Sequence, residues 1–165
     1  MEGTMKRLAL HDRKAWVEQA PIPSAHGANV VVRLESTPIC GSDKKHFLNP
    51  DKTIRYAGHE GTGVVVEVDK SNLVKVGDRV LTNCLSGCGV CEHCRSGNYV
   101  YCENKLPMDQ MASHFCQYTI LQDFLCIPLP EDISYDMGTL AGCVLAPAFQ
   151  TLQKMQVIPS DLVMV

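Results

Sequence analysis

Residues 58–68 read Gly58-His59-Glu60-Gly61-Thr62-Gly63-Val64-Val65-Val66-Glu67-Val68. Glycines give way to a β-branched run, which predicts a strand from Gly61 to Val68. Working outward, Asn29 to Thr37 (NVVVRLEST) has the same character, and Arg79-Val80-Leu81 follows a Gly77-Asp78 turn. Phe115 to Leu121 reads as a further strand. Pro and Gly break the pattern at Pro21, Pro23, Gly27, Pro38, Gly58, Pro107, Pro128 and Pro130. Short strands between long loops predict a mainly β fold, a small irregular barrel or sandwich.

The end of the chain changes character. Tyr135 to Leu145 and Ala148 to Val157 read as helices, with Pro147 between them. Pro159-Ser160-Asp161 marks a turn. The apolar Leu162-Val163-Met164-Val165 then predicts a strand buried on both faces, as in a parallel sheet.

Composition narrows the function classes. The 165 residues carry 45% hydrophobic and 20% charged side chains, enough for a packed core. Fifteen Lys+Arg against eighteen Asp+Glu leave a formal charge of −3. With no basic stretch, nucleic acid and anionic membranes are poor partners. No apolar run approaches the length of a span, and the N-terminal residues lack the apolar stretch of an export signal. The expected location is cytoplasmic.

Nine cysteines stand out, an odd count that fits a disulfide framework poorly. Cys88-x2-Cys91-x2-Cys94-x7-Cys102 places four thiolates on a loop punctuated by Gly87, Gly89 and Gly97. Two-residue spacers let neighbouring sulfurs turn towards one ion, and zinc takes four thiolates tetrahedrally. An iron–sulfur cluster is the competing ligand, although its fourth cysteine should sit in a closer Cys-Pro. Buried thiols without metal are the third reading. Cys84 and His93 are spare ligands within reach. Metal binding would fold a loop that has too few apolar residues to fold itself. Cys116 and Cys126 are assigned to core packing.

A second group is dispersed. Cys40-Gly41-Ser42-Asp43, Gly58-His59-Glu60 and Ala141-Gly142-Cys143 together offer Cys, His and Cys. That is the ligand set of a catalytic zinc with its fourth position open, and Glu60 stands beside His59. Each piece alone is better explained by a small buried cysteine or a satisfied loop histidine.

Taken together, these motifs and Gly77-Asp78-Arg79-Val80 resemble the zinc-dependent medium-chain alcohol dehydrogenases, including the polyol and threonine dehydrogenase branches. The resemblance implies a GroES-like, partly open β-barrel over residues 1–145. Residues 146–165 would be a connecting helix and the first strand of a truncated Rossmann domain. It implies a catalytic zinc on Cys40, His59 and Cys143, with Glu60 as an adjacent or alternating ligand. Ser42 would receive the alcohol proton and Asp43 would hold His59. Cys88, Cys91, Cys94 and Cys102 would hold a structural zinc, making two Zn²⁺ per chain. The full-length enzyme would be a homo-oligomer that exchanges hydride between an alcohol, aldehyde or ketone and NAD or NADP.

Two departures qualify that likeness. The family's relay histidine position is occupied by Lys45, with His46 one residue later. The Gly-rich turn of a dinucleotide-binding domain is also absent, since Gly58-x-x-Gly61-x-Gly63 has the wrong spacing and leads into a strand. Its glycines are expected to serve turns or a bulge. No cofactor-binding residue can therefore be named, and the chain alone is expected to be inactive. A non-enzymatic zinc module, or a half-enzyme that pairs with a separate cofactor-binding chain, are the alternatives. Lys44, Lys45 and Arg55 read as solvated charges, Trp16 as a surface or core residue, and Phe47, Tyr56 and Phe115 as possible cleft residues.

Overall fold

Strand-forming residues and turn geometry account for most of the architecture. The computed structural model describes residues 2–48, 53–54, 56–83, 85–105 and 113–164. It opens with a hairpin of β1 (Thr4–His11) and β2 (Lys14–Pro21). The strands run in unbroken antiparallel register from Thr4↔Pro21 to His11↔Lys14. Asp12 and Arg13 turn the chain with φ of 46° and 59°. Positive φ at both central residues matches the right-handed twist of a two-residue hairpin.

The main sheet has five strands: β3 (Asn29–Ser36), β4 (Gly61–Val68), β5 (Arg79–Thr82), β6 (Tyr118–Gln122) and β7 (Cys126–Pro128). Their order is β6-β3-β4-β5-β7 and every pairing is antiparallel. The hairpin docks just before β6, where Leu8 donates to the Phe115 carbonyl and Gln117 to that of Lys6. Between β3 and β4 the register shifts twice, once between Leu34 and Ser36. Gly63 lies opposite that irregularity, where a Cβ would strike the Arg33 carbonyl. Gly63, inside β4, thus serves a bulge, and Gly58, before the strand, takes a positive φ of 86°.

Val30, Val32, Val65, Val74, Val80, Leu121, Leu125 and Cys126 form the buried core, flanked by Leu34, Val68, Tyr99 and Phe124. Burial pushes the Cys126 and Cys116 thiols up to about 12. Both are held protonated near neutrality, in keeping with packing roles.

Short helices sit on the connections: α1 (Asp43–Leu48), α2 (Glu92–Arg95), α3 (Tyr135–Thr139) and α4 (Leu145–Met155). The expected helix over Tyr135–Leu145 ends at Thr139, and the next begins at Leu145 with Pro147 inside its first turn. A first-turn proline forfeits only an N–H that has no intrahelical acceptor. No residue of α4 is buried. Residues 162–164 belong to no strand, and Leu162 is 101% exposed. The strand expected at 162–165 is not formed at the described residues 162–164, which also pair with no strand of the five-stranded sheet. Val165 lies outside the described residues.

Candidate metal centres

Four sulfurs converge on the lobe between β5 and β6. Those of Cys88, Cys91, Cys94 and Cys102 all lie within 4.8 Å of one another. Sulfurs around a tetrahedral zinc with bonds of about 2.3 Å should stand about 3.8 Å apart. Cys88 Sγ and Cys94 Sγ are 3.9 Å apart. Backbone donors point at the sulfurs: Cys88 N–H at Cys102 Sγ (3.3 Å), Cys91 N–H at Cys88 Sγ (3.3 Å) and Cys94 N–H at Cys91 Sγ (3.4 Å). The last contact makes Cys91 the N-cap of α2. The N–H groups of Val90 and Cys91 bring the Cys88 thiol down to about 6, while burial pushes Cys94 up to about 12. An ion in this cage would displace the Cys94 proton, which burial otherwise retains. His93 stays outside the group and stacks on Tyr101, with ring centres 5.8 Å apart. Cys84, the other spare ligand, lies outside the described residues.

The dispersed residues also come together. Donor atoms of Cys40, His59, Glu60 and Cys143 lie within 4.8 Å of one another. Cys40 Sγ and Cys143 Sγ are 3.8 Å apart, although 103 residues separate them in sequence. Asp43, buried at the start of α1, organises one half of this group. Its Oδ2 accepts from Cys40 N–H at 2.9 Å, and its Oδ1 accepts from Gly58 N–H at 3.3 Å. The same Oδ1 lies 3.4 Å from His59 Nδ1, which turns Nε2 towards the cluster. Gly58 precedes the histidine at φ +86°, and a Cβ there would fall 2.6 Å from the Phe115 backbone nitrogen. Only glycine fits that approach.

Glu60 closes the group from behind and is 2% exposed. Its Oε2 accepts from Cys143 N–H at 3.1 Å, and its Oε1 lies 3.3 Å from His59 Nε2. Oε1 has no hydrogen-bond partner among the described residues. A buried carboxylate oxygen left in that state is costly, and a cation among the four donors would relieve it. Two thiolates, an imidazole and a carboxylate suit a borderline-soft divalent ion such as zinc. Cys40, His59 and Cys143 are each partly exposed, so the group opens on the side away from Glu60.

Other expected residues are placed less closely. Ser42 lies on the exposed turn before α1, and its hydroxyl bonds no described residue. Lys44, Lys45 and His46 are exposed on α1, and Arg55 lies outside the described residues. Tyr56 is taken up by Arg7, which donates to its hydroxyl at 2.7 Å. Trp16 is on the surface of the hairpin, 37% exposed. Phe47 is half-buried on α1, and its carbonyl accepts from Arg13 N–H.

One residue beside the group escaped sequence reasoning. His114 is buried, both of its ring nitrogens lack a partner among the described residues, and burial lowers its pKa to about 4. Its backbone N–H donates to the Gly58 carbonyl, next to His59. No local pattern marks it.

Known proteins resemble this chain in sequence and fold. The profile of the alcohol dehydrogenase GroES-like domain matches residues 26–131. A sorbitol dehydrogenase from Bombyx mori is 32% identical over 132 residues, covering 74% of this chain and 38% of that protein. An L-threonine 3-dehydrogenase from Shewanella sp. (strain ANA-3) is 30% identical over 138 residues, covering 78% and 40%. The fold matches that of an Escherichia coli oxidoreductase/dehydrogenase of unknown specificity, with a TM-score of 0.81 at 23% identity, covering 96% of this chain and 49% of that one. The chain spans less than half the length of these relatives.

Proposed function

We propose a function from one premise: the chain belongs to the alcohol dehydrogenase GroES-like domain family. On that premise it is the catalytic portion of a zinc-dependent alcohol or polyol dehydrogenase that uses NAD or NADP. The observation that carries this reading is the convergence of Cys40, His59, Glu60 and Cys143, with a partnerless buried carboxylate oxygen facing the cluster.

Cys40, His59 and Cys143 would hold a zinc ion, with Glu60 behind them as an adjacent or alternating ligand. Bound there, zinc supplies a Lewis acid that lowers the pKa of an alcohol and polarises a carbonyl. The chain's own residues do the rest. Asp43 Oδ1, 3.4 Å from His59 Nδ1, would hold the proton on that nitrogen and leave the Nε2 lone pair free to ligate. The same carboxylate fixes the backbone of Cys40, so two ligands share one anchor. Glu60 sets Cys143 through its N–H. Ser42, two residues after Cys40 on the open turn, would receive the alcohol proton at Oγ. Cys88, Cys91, Cys94 and Cys102 would hold a second, structural zinc.

The cofactor would be bound by a domain that begins beyond the connecting helix in residues 146–165. The protein would then work in the cytoplasm on small alcohols, aldehydes or ketones, as a homo-oligomer. The exposed apolar side chains of α4, among them Leu145, Phe149, Leu152 and Met155, support a packing partner there. The 165 residues alone should give no steady NAD(P)H with any alcohol.

The test is a fusion of residues 1–165 to a dinucleotide-binding domain. Alcohol-dependent reduction of NAD⁺ or NADP⁺, abolished by Cys40→Ser and by His59→Ala, supports the reading. A folded, metal-loaded fusion that reduces neither cofactor sinks it.

A further inference from the structure

Cys143 reaches its place by a route unlike that of the other three donors. Cys40 and His59 share the Asp43 anchor, and Glu60 follows His59 directly. Cys143 follows α3, and on its other side α4 has no buried residue to fix it. Glu60 Oε2 holds the Cys143 N–H at 3.1 Å, and the approach of the chain to that point is set by whatever holds residues 129–142.

Arg79 makes several of those contacts. At the start of β5 its carbonyl accepts from Leu129 N–H at 2.9 Å. Its side chain then reaches along the same segment: Nη1 donates to the Pro130 carbonyl at 2.9 Å and Nη2 to the Ile133 carbonyl at 2.6 Å. The guanidinium carbon stands 4.6 Å from the centre of the Tyr135 ring. A planar fork that bonds two carbonyls and stacks on a ring fixes direction as well as distance. Thr62 adds a bond from Oγ1 to the Tyr135 carbonyl at 2.8 Å. Gly138 packs so closely that a Cβ would fall 2.7 Å from Leu129 Cδ1 and 3.0 Å from Thr62 Cγ2.

We infer that Arg79 is a positioning residue for Cys143: by clamping residues 130–135 it aims α3, so that the Cys143 sulfur meets the Cys40 sulfur and its N–H meets Glu60. The inference rests on the proposed ligand role of Cys143 for its functional meaning, but not for its geometry. Lysine can substitute only in part, because an ammonium keeps the charge but offers neither the fork nor the stacking plane.

Two readouts on the 165-residue chain separate the possibilities. The first needs no metal. Diamide takes one hydrogen from each of two neighbouring thiols, becomes the hydrazine and leaves a disulfide. Peptide mapping of the metal-stripped protein then follows the Cys40–Cys143 cross-link, with cross-links within the lobe (Cys88, Cys91, Cys94, Cys102), whose cysteines are close in sequence whether or not the lobe is folded, as internal control. Arg79→Ala should slow the first cross-link about tenfold while leaving the control unchanged. Arg79→Lys and Tyr135→Leu, which disturb the fold less, should fall between. The second readout is cobalt binding. Arg79→Ala should weaken the dispersed site by about ten- to a hundredfold, with lower thiolate-to-cobalt absorption, and spare the four-cysteine lobe.

Wild-type cross-linking in Arg79→Ala, or equal slowing of both cross-links, would reduce Arg79 to a residue of general stability and overturn the inference. Should the wild-type chain take up only one ion, the ligand role of Cys143 fails, and the cross-linking ratio still decides what Arg79 does.

Discussion

The four-cysteine lobe and the dispersed site gather similar donors by opposite means. In the lobe, all four sulfurs come from residues 88–102, and each short backbone step aims an N–H at a neighbouring sulfur. In the dispersed site, the donors come from the approach to α1, the approach to β4 and the turn after α3, so the sheet must be folded before they meet. Loss of metal should therefore cost the lobe its structure, whereas loss of structure should cost the dispersed site its metal. A local site carries its own folding energy, and a dispersed one borrows it from the core.

The sharpest break in that contrast should come from Cys94→Ser. Cys94 is buried at the centre of the lobe. Structural zinc in small modules is worth on the order of 10 kcal/mol of folding energy. Hydrogen exchange should show residues 85–102 losing protection, with the main sheet and the Cys40 site retained. Parallel loss of protection in both regions would mean that the two sites are not independent.

A smaller effect singles out the dispersed site through His114. Burial keeps its imidazole neutral down to about pH 4, whereas an unfolded histidine takes a proton near 6.5. Between those values the unfolded chain binds more protons, so stability is full above pH 6.5 and falls as the pH drops towards 4. The loss is on the order of 3 kcal/mol. Urea melts of metal-stripped protein at pH 7.5 and 4.5 should show this slope, and His114→Gln should reduce it. An unchanged slope would place the acid sensitivity elsewhere.

Smaller still is the effect of Asp43→Asn, which weakens the shared anchor of Cys40 and His59. Zinc affinity at the dispersed site should fall about ten- to a hundredfold, or about 1.4 to 2.7 kcal/mol, with the lobe unaffected. Competition with a chromophoric chelator would measure both sites at once.

The same contrast governs what could be read before folding. The lobe is legible because its spacing is its geometry: Cys88, Cys91, Cys94 and Cys102 lie on one short loop. Strands β3 and β4 are legible because valine runs need a buried sheet. Hairpin β1–β2 was not, since its turn uses Asp12-Arg13 at positive φ in place of a glycine-containing pair. Cys40, His59 and Cys143 could be joined only through the family likeness, because no periodicity links residues 103 positions apart. The fork of Arg79 and the isolation of His114 exist only in the packed molecule.

Zinc per chain, counted by mass spectrometry beside a Cys40→Ser variant, tests the two-centre account most directly. Two ions in the wild type and one in the variant are expected, because the lobe fills without help from Cys40. One ion in both would contradict it, leaving Cys40, His59, Glu60 and Cys143 as neighbours that hold no metal in this chain.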